Sequence, residues 1–140
     1  MEVIANEINV PRYAHPGDAG LDLTAAMGGE IRPHDWYLVD TGILVAIPDG
    51  HVGFITPRSG LAAKQGITVL NSPGTIDSGY RGPLKVALIN HGEETWAYEP
   101  GDRIAQLVIV PFVSVNIELV EEFTSTTSRG EHGFGSTGVA

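Results

Sequence analysis

The sequence predicts an all-β fold, a jelly-roll-like β-sandwich with one short helix, and three observations carry that prediction. Eighteen glycines and nine prolines among 140 residues imply many tight turns. Short apolar and β-branched runs recur between those turns, at the spacing of a sandwich or jelly roll. The clearest run alternates Val113, Val115, Ile117 and Leu119 with Ser114, Asn116 and Glu118, the period of a half-buried strand.

In chain order, Gly17-Asp18-Ala19-Gly20-Leu21-Asp22-Leu23 opens the first strand signal, and its two leucines turn Asp22 away from the core side. Strand candidates follow at 37–40, 42–47 and 52–56, with Pro48-Asp49-Gly50 as the turn before the third. Residues 60–65 form the helix candidate, with Ser59 as N-cap and Gly66 as its stop. After a candidate strand at 67–70, Pro73-Gly74 suits the centre of a type II turn, since Pro presets φ and Gly accepts positive φ. Thr75-Ile76 then presents Asp77, with Tyr80 and Arg81 close behind. Further strands are expected at 84–90, 95–98 and 104–110, separated by Asn90-His91-Gly92 and Glu99-Pro100-Gly101-Asp102. From Phe123 onward the chain is Ser, Thr and Gly with little to bury. This divides it into a β domain over 1–122 and a mobile arm over 123–140.

Composition excludes several functions. There is no cysteine, hence no disulfide, thiolate metal site or cysteine nucleophile. The five histidines show no paired metal spacing and read as surface or structural. A formal net charge of −9 argues against nucleic-acid binding, which draws its affinity from basic patches. No basic-then-apolar leader pattern opens the sequence, and no apolar run approaches the ~18 residues of a membrane span, so no membrane contact and a cytoplasmic location are expected. Among the eight Lys and Arg, five (Arg58, Arg81, Lys85, Arg103, Arg129) sit in or beside glycine-rich blocks. That clustering favours a small anionic ligand.

The blocks themselves carry the chemistry. Pro57-Arg58-Ser59-Gly60-Leu61-Ala62 places a guanidinium and a hydroxyl at a helix start, which reads either as a phosphate site or as an ordinary cap with a solvated Arg. Gly133 to Gly138 satisfies G-x-G-x-x-G, but no helix can follow it, and Ser136 stands where a P-loop needs Lys. What remains is a glycine-rich arm holding Arg129, Phe134 and two hydroxyls, either a disordered tail or a flap over a phosphorylated ligand. Asp22 is a candidate for a hydrated Mg²⁺, which often takes one carboxylate plus phosphates. Asp18 reads equally well as a turn cap.

Five blocks in fixed order closely resemble the trimeric dUTPase family: Ala19 to Leu23, Pro57 to Ala62, Asn71 to Gly82, Gly101-Asp102-Arg103-Ile104-Ala105-Gln106, and Arg129 to Gly138. The resemblance implies hydrolysis of dUTP to dUMP and pyrophosphate, which limits dUTP and supplies dUMP for dTTP synthesis. It implies a jelly-roll homotrimer with active sites shared between subunits, each closed by a neighbour's arm. By motif, Asn71, Gly74, Thr75 and Ile76 would recognise uracil and line the nucleoside, Tyr80 would exclude a 2′-hydroxyl, and Lys85 would lie at the base end. Arg58, Ser59, Gly60 and Gln106 would hold phosphates. Arg129, Gly135, Ser136 and Thr137 would clamp the phosphate end, with Phe134 over the base. Asp22 would bind the Mg²⁺ complex through water, and Asp77 would activate the attacking water. Arg103 reads as structural, paired with Asp77 or Asp102.

Two rivals share the pocket. A dCTP deaminase of the same fold needs a Glu on the strand after the hairpin, and Leu84 to Asn90 has no acidic residue. A non-catalytic dUTP sensor conflicts with the intact Asp22, Asp77, Arg129 and Phe134.

Overall fold

The computed structural model describes residues 1–131. Its elements run β1 (Glu2–Ile4), β2 (Gly20–Thr24), β3 (Gly29–Ile31), β4 (Trp36–Ala46) and β5 (His51–Thr56), then helix α1 (Ser59–Gln65). They continue with β6 (Ile67–Val69), β7 (Gly74–Ile76), β8 (Pro83–Asn90), β9 (Trp96–Tyr98) and β10 (Arg103–Pro111). The strands form two four-stranded antiparallel sheets, ordered β1-β4-β8-β6 and β2-β10-β5-β7, plus the pair β3-β9. One apolar cluster joins the sheets: Leu21, Leu23, Ile55 and Leu107 from one, and Val39, Val45, Val86 and Leu88 from the other. The jelly-roll sandwich expected from turns and alternation is the fold found.

Period two explains which faces are buried. In β4, Val39, Thr41, Ile43 and Val45 all point inward, and in β8 Leu84, Val86, Leu88 and Asn90 do the same. The expected break between 37–40 and 42–47 is an irregularity within one strand. Register to β8 shifts between Asp40 and Leu44, around Gly42 at φ 69°, whose N–H donates to Asp40 Oδ1 at 2.8 Å. Buried Thr41 stays satisfied there by donating to the Leu84 carbonyl at 2.6 Å.

Asn90 is fully buried and ties three segments together. Its amide donates to Ile31 O at 2.9 Å and Glu94 O at 2.8 Å, and its carbonyl accepts from Gly92 N at 2.8 Å. Asn90→Ala leaves those backbone groups without partners. Chemical denaturation is expected to show a loss of about 2–4 kcal/mol.

Three local expectations are corrected. No strand forms over Val113–Leu119. Val113, Val115, Ile117 and Leu119 are exposed, because β10 ends at Pro111 and the subunit offers this alternating segment no neighbouring strand. The helix begins one residue earlier than expected: Arg58 is the N-cap, Ser59 is helical, and no side chain caps the helix. Its stop is as expected, with Gly66 left-handed at φ 69°. The three-residue strands β1, β3 and β7 lie outside the expected strands.

Candidate active site

The site residues expected between Asp22 and Gln106 fall into two separate cavities, built on the sheet β2-β10-β5-β7 and its neighbours. The first surrounds β7. Gly53 pairs with Ile76 and Ile55 with Gly74, which lays the Asn71–Gly82 segment along the edge of β5. An inner chamber of about 90 Å³ is lined by Asn71, Gly74, Val86 and Ala87. It adjoins an outer one of about 390 Å³ that holds Asp77, Tyr80 and Pro83. Leu38, Thr75, Ile76 and Lys85 line both chambers. Asn71, Gly74, Thr75, Ile76, Asp77, Tyr80 and Lys85 are therefore brought together, and Asp77 is the cavity's single carboxylate among the described residues.

The Pro73-Gly74 turn differs from the expected type II form. The Ser72–Pro73 peptide is cis, and Gly74 is a buried residue of β7 without positive φ. Pairing with β5 sets its backbone, and an added Cβ would sit in contact with Ile55 Cβ at 3.4 Å. Beyond Asp77 the loop is fastened locally. Tyr80 N donates to Asp77 O at 3.1 Å and Tyr80 OH to Pro83 O at 2.9 Å. Gly82 must lack a side chain, because a Cβ would collide with the Tyr80 phenol. Arg81 turns its guanidinium onto the Ser78 and Tyr80 carbonyls and so braces the loop. Lys85 Nζ lies 3.7 Å from Asp40 Oδ2.

The second cavity, about 270 Å³, contains Asp22, Arg58, Ser59, Gly60, Arg103, Gln106 and His15. Its floor follows from register. Gln106 pairs with Asp22 on one side and Thr56 on the other, so the three share one row and one face. Leu21 and Leu23 are buried on the opposite face, and Asp22 points away from the core as its neighbours imply. Gly20 leaves room beside it for the Gln106 amide, which a Cβ there would displace. In a regular strand Arg103 and Gln106 would face opposite sides. A register shift between Arg103 and Ala105 changes the phase and lets both reach this cavity.

Asp22 is the electrostatic centre. Its Oδ1 lies 3.4 Å from Arg58 Nε and its Oδ2 lies 3.3 Å from Arg103 Nη1. Arg58 Nη1 also donates to Arg103 O at 3.0 Å, and Gln106 Nε2 to Pro57 O at 3.1 Å. Arg103 thus pairs with neither Asp77 nor Asp102, because its ladder partner is Thr24, on the strand that carries Asp22. Asp102 instead accepts from Glu99 N at 2.9 Å. Asp18 is a turn cap, accepting from His15 N at 2.8 Å. His15, read as surface, lines the cavity; its proximity to the Asp22 block was the one available signal.

Within one subunit the two cavities do not meet, and they share no lining residue. Ile76 lies opposite Gly53, five positions before Arg58 in sequence. At ~3.3 Å per residue, Asp77 and Arg58 are roughly 15–20 Å apart along the sheet. Arg129 is exposed near the end of the described chain, and Phe134, Gly135, Ser136 and Thr137 lie outside the described residues. A larger cavity of about 630 Å³ between α1 and residues 92–97 contains none of the block residues apart from Ala62. Volume alone therefore does not locate the chemistry.

Comparison with known proteins gives a consistent family. A sequence profile of dUTPase matches residues 6–138. The chain is 52% identical over 132 residues to the deoxyuridine 5'-triphosphate nucleotidohydrolase of Cutibacterium acnes, covering 94% of this chain and 86% of that one. The solved dUTPase of Staphylococcus bacteriophage 80alpha with dUPNHPP superposes with a TM-score of 0.92 at 33% identity, covering 99% of this chain and 98% of that one. A dUTPase variant from phage phi11 of S. aureus, solved for its coordination of a structural Mg(II) ion, gives 0.79 at 30% identity over 87% and 97%.

Proposed function

This chain belongs to the dUTPase family, and we propose that its two cavities are the halves of one dUTP site, completed between subunits of a homotrimer. The reaction is hydrolysis of dUTP to dUMP and pyrophosphate. The observation that carries the shared-site reading is that Asp77 and Arg58 line different cavities of one subunit, with no lining residue in common. In a cyclic assembly, the β7 cavity of one subunit is completed by the Arg58 cavity of the next.

A second feature supports assembly. Val113, Val115, Ile117 and Leu119 are 84%, 75%, 93% and 98% exposed, on one side of a period-two run. Burying such side chains against a neighbouring copy yields about 1.5–3 kcal/mol each. The sheets also offer open edges to which an extended segment can add. Residues 123–140 are the arm in this reading, carrying Arg129, Phe134, Gly135, Ser136 and Thr137 onto the site.

The residues then act as follows. The Asn71–Ile76 segment reads uracil with backbone groups, and Tyr80, fixed by its bond to Pro83, packs under the deoxyribose. Arg58, Ser59, Gly60 and Gln106 hold the triphosphate. Asp77 orients a water and accepts its proton as the water oxygen bonds to the α-phosphorus. The bond from that phosphorus to the bridging oxygen breaks, and pyrophosphate leaves against Arg58 and the arm's Arg129.

Mg²⁺ is the cofactor, and the donor set here fits it. The Arg58 cavity offers one hard carboxylate, Asp22, and among the described residues no group of three or more His, Asp or Glu could hold a metal unaided. The remaining ligands would be water and phosphate oxygens, as Mg²⁺ prefers. When bound, it neutralises charge on the phosphoryl oxygens.

Deamination is not favoured: β8 presents Lys85, and no carboxylate, to the base cavity. No helix among the described residues is long and apolar enough to cross a membrane, and the cytoplasm is the proposed location of this nucleotide enzyme. The test is pyrophosphate release with dUTP and Mg²⁺, run beside UTP and dCTP and repeated on a chain ending at Ser128. Release from dUTP alone, lost in the shortened chain, is expected. Full activity in the shortened chain would reduce the arm to a tail, and ammonia from dCTP would overturn the assignment.

A further inference from the structure

We propose that the Asp22 carboxylate is an internal stand-in for substrate phosphate: it occupies Arg58 and Arg103 until a cation and a nucleotide arrive together, and so makes their binding mutually dependent. The inference rests on reading this cavity as the triphosphate site.

The geometry carries it. Each carboxylate oxygen of Asp22 faces a different guanidinium, Oδ1 at 3.4 Å from Arg58 and Oδ2 at 3.3 Å from Arg103. The Asp22 side chain is only 19% exposed and that of Arg58 28%, so water compensates neither fully if the pair separates. Arg58 is further anchored to the Arg103 carbonyl at 3.0 Å, and the chain before it is held by Gln106 through Pro57. Arg58 is therefore preset in position with an anion already beside it, while Arg103, 53% exposed, is held by Asp22 itself.

An entering phosphate competes with Asp22 for the charge of those same two guanidinium groups. Without a cation, the displaced carboxylate is left partly buried, unpaired and beside new negative charge, which opposes binding. A divalent cation carried by the phosphates gives Asp22 a replacement partner, and the guanidinium groups are released to the phosphate oxygens. Linkage then requires reciprocity: the cation tightens the nucleotide by the same factor as the nucleotide tightens the cation. Nucleotide without metal is thereby discriminated against at the binding step. Arg103 acquires a role as well, as a positioning residue that holds Asp22 ready.

Calorimetric titration of the full chain with the non-hydrolysable analogue α,β-imido-dUTP, in Mg²⁺ and in EDTA, tests the idea. Wild type is expected to bind much more tightly with Mg²⁺. Asp22→Asn keeps the shape and removes the competing charge. In EDTA it is expected to bind the analogue at least about fivefold more tightly than wild type, the lower end of ordinary coupling between ligands. The Mg²⁺ effect is expected to shrink in the variant. Asp22→Ser serves the same purpose if the Asn variant melts early. Metal-free binding by the variants that equals or falls below wild type overturns the inference. Failure of wild type to bind the analogue even with Mg²⁺ instead overturns the reading of the cavity, and the inference with it.

Discussion

Asp77→Asn is expected to reduce turnover of dUTP by roughly 10²–10⁴, the usual contribution of a positioned general base. In barrier terms that is about 3–5 kcal/mol. The substitution preserves size and hydrogen-bonding reach but removes the ability to accept a proton. Asp77 lies just beyond β7, and among the described residues its side chain makes no hydrogen bond or ion pair that holds the fold. The variant should therefore fold normally and bind α,β-imido-dUTP with close to wild-type affinity. Steady-state kinetics beside calorimetry separates the two effects. A variant that kept near wild-type turnover would remove Asp77 from the chemistry.

Mixing two inactive variants is expected to restore activity, which is the larger claim about architecture. Asp77→Asn disables the water-activating half of a site and Arg58→Ala disables the phosphate half. If the halves come from different subunits, random mixed trimers contain sites that pair an intact Asp77 with an intact Arg58. Equal mixing and refolding gives roughly a quarter of all sites in that state, since each interface draws its two halves independently. Activity near a quarter of wild type should appear where each parent alone shows almost none. A mixture no more active than its parents would mean that the site lies within one subunit, and the separation across the β5–β7 ladder would need another explanation.

The fold was legible because period two and turn chemistry are local. Leu21 and Leu23 around Asp22 announce a strand with one carboxylate facing out, and the structure keeps that arrangement. The inward run Leu84, Val86, Leu88 in β8 is equally plain. The site was legible in outline through its block order, which named most of the cavity residues. It was less legible where contacts are made by register. Arg103 gave no local sign of its partner. Its pairing with Asp22, 81 positions away in sequence, depends on the β2–β10 ladder and on a register shift that no propensity predicts. His15 was passed over for a similar reason, since only the Asp18 turn folds it back over the cavity.

The 113–119 segment is the opposite case. Its alternation is real, but alternation states only that one side seeks burial; it does not say in which chain. The subunit supplies no partner, and the segment stands exposed.

What depends on near neighbours can be read along the chain: an all-β architecture, the faces of its strands, the helix stop at Gly66 and the five blocks that identify its chemistry. The tertiary structure alone decided how those blocks are distributed. It set Asp22, Gln106 and Thr56 in one row, drew Arg58 and Arg103 onto a single carboxylate, and put Asp77 at the far end of the same sheet. The physical reason is that strand register is fixed by packing of both faces over the whole sheet. A one-residue change in it would turn Asp22 or Gln106 to the other face of the sheet.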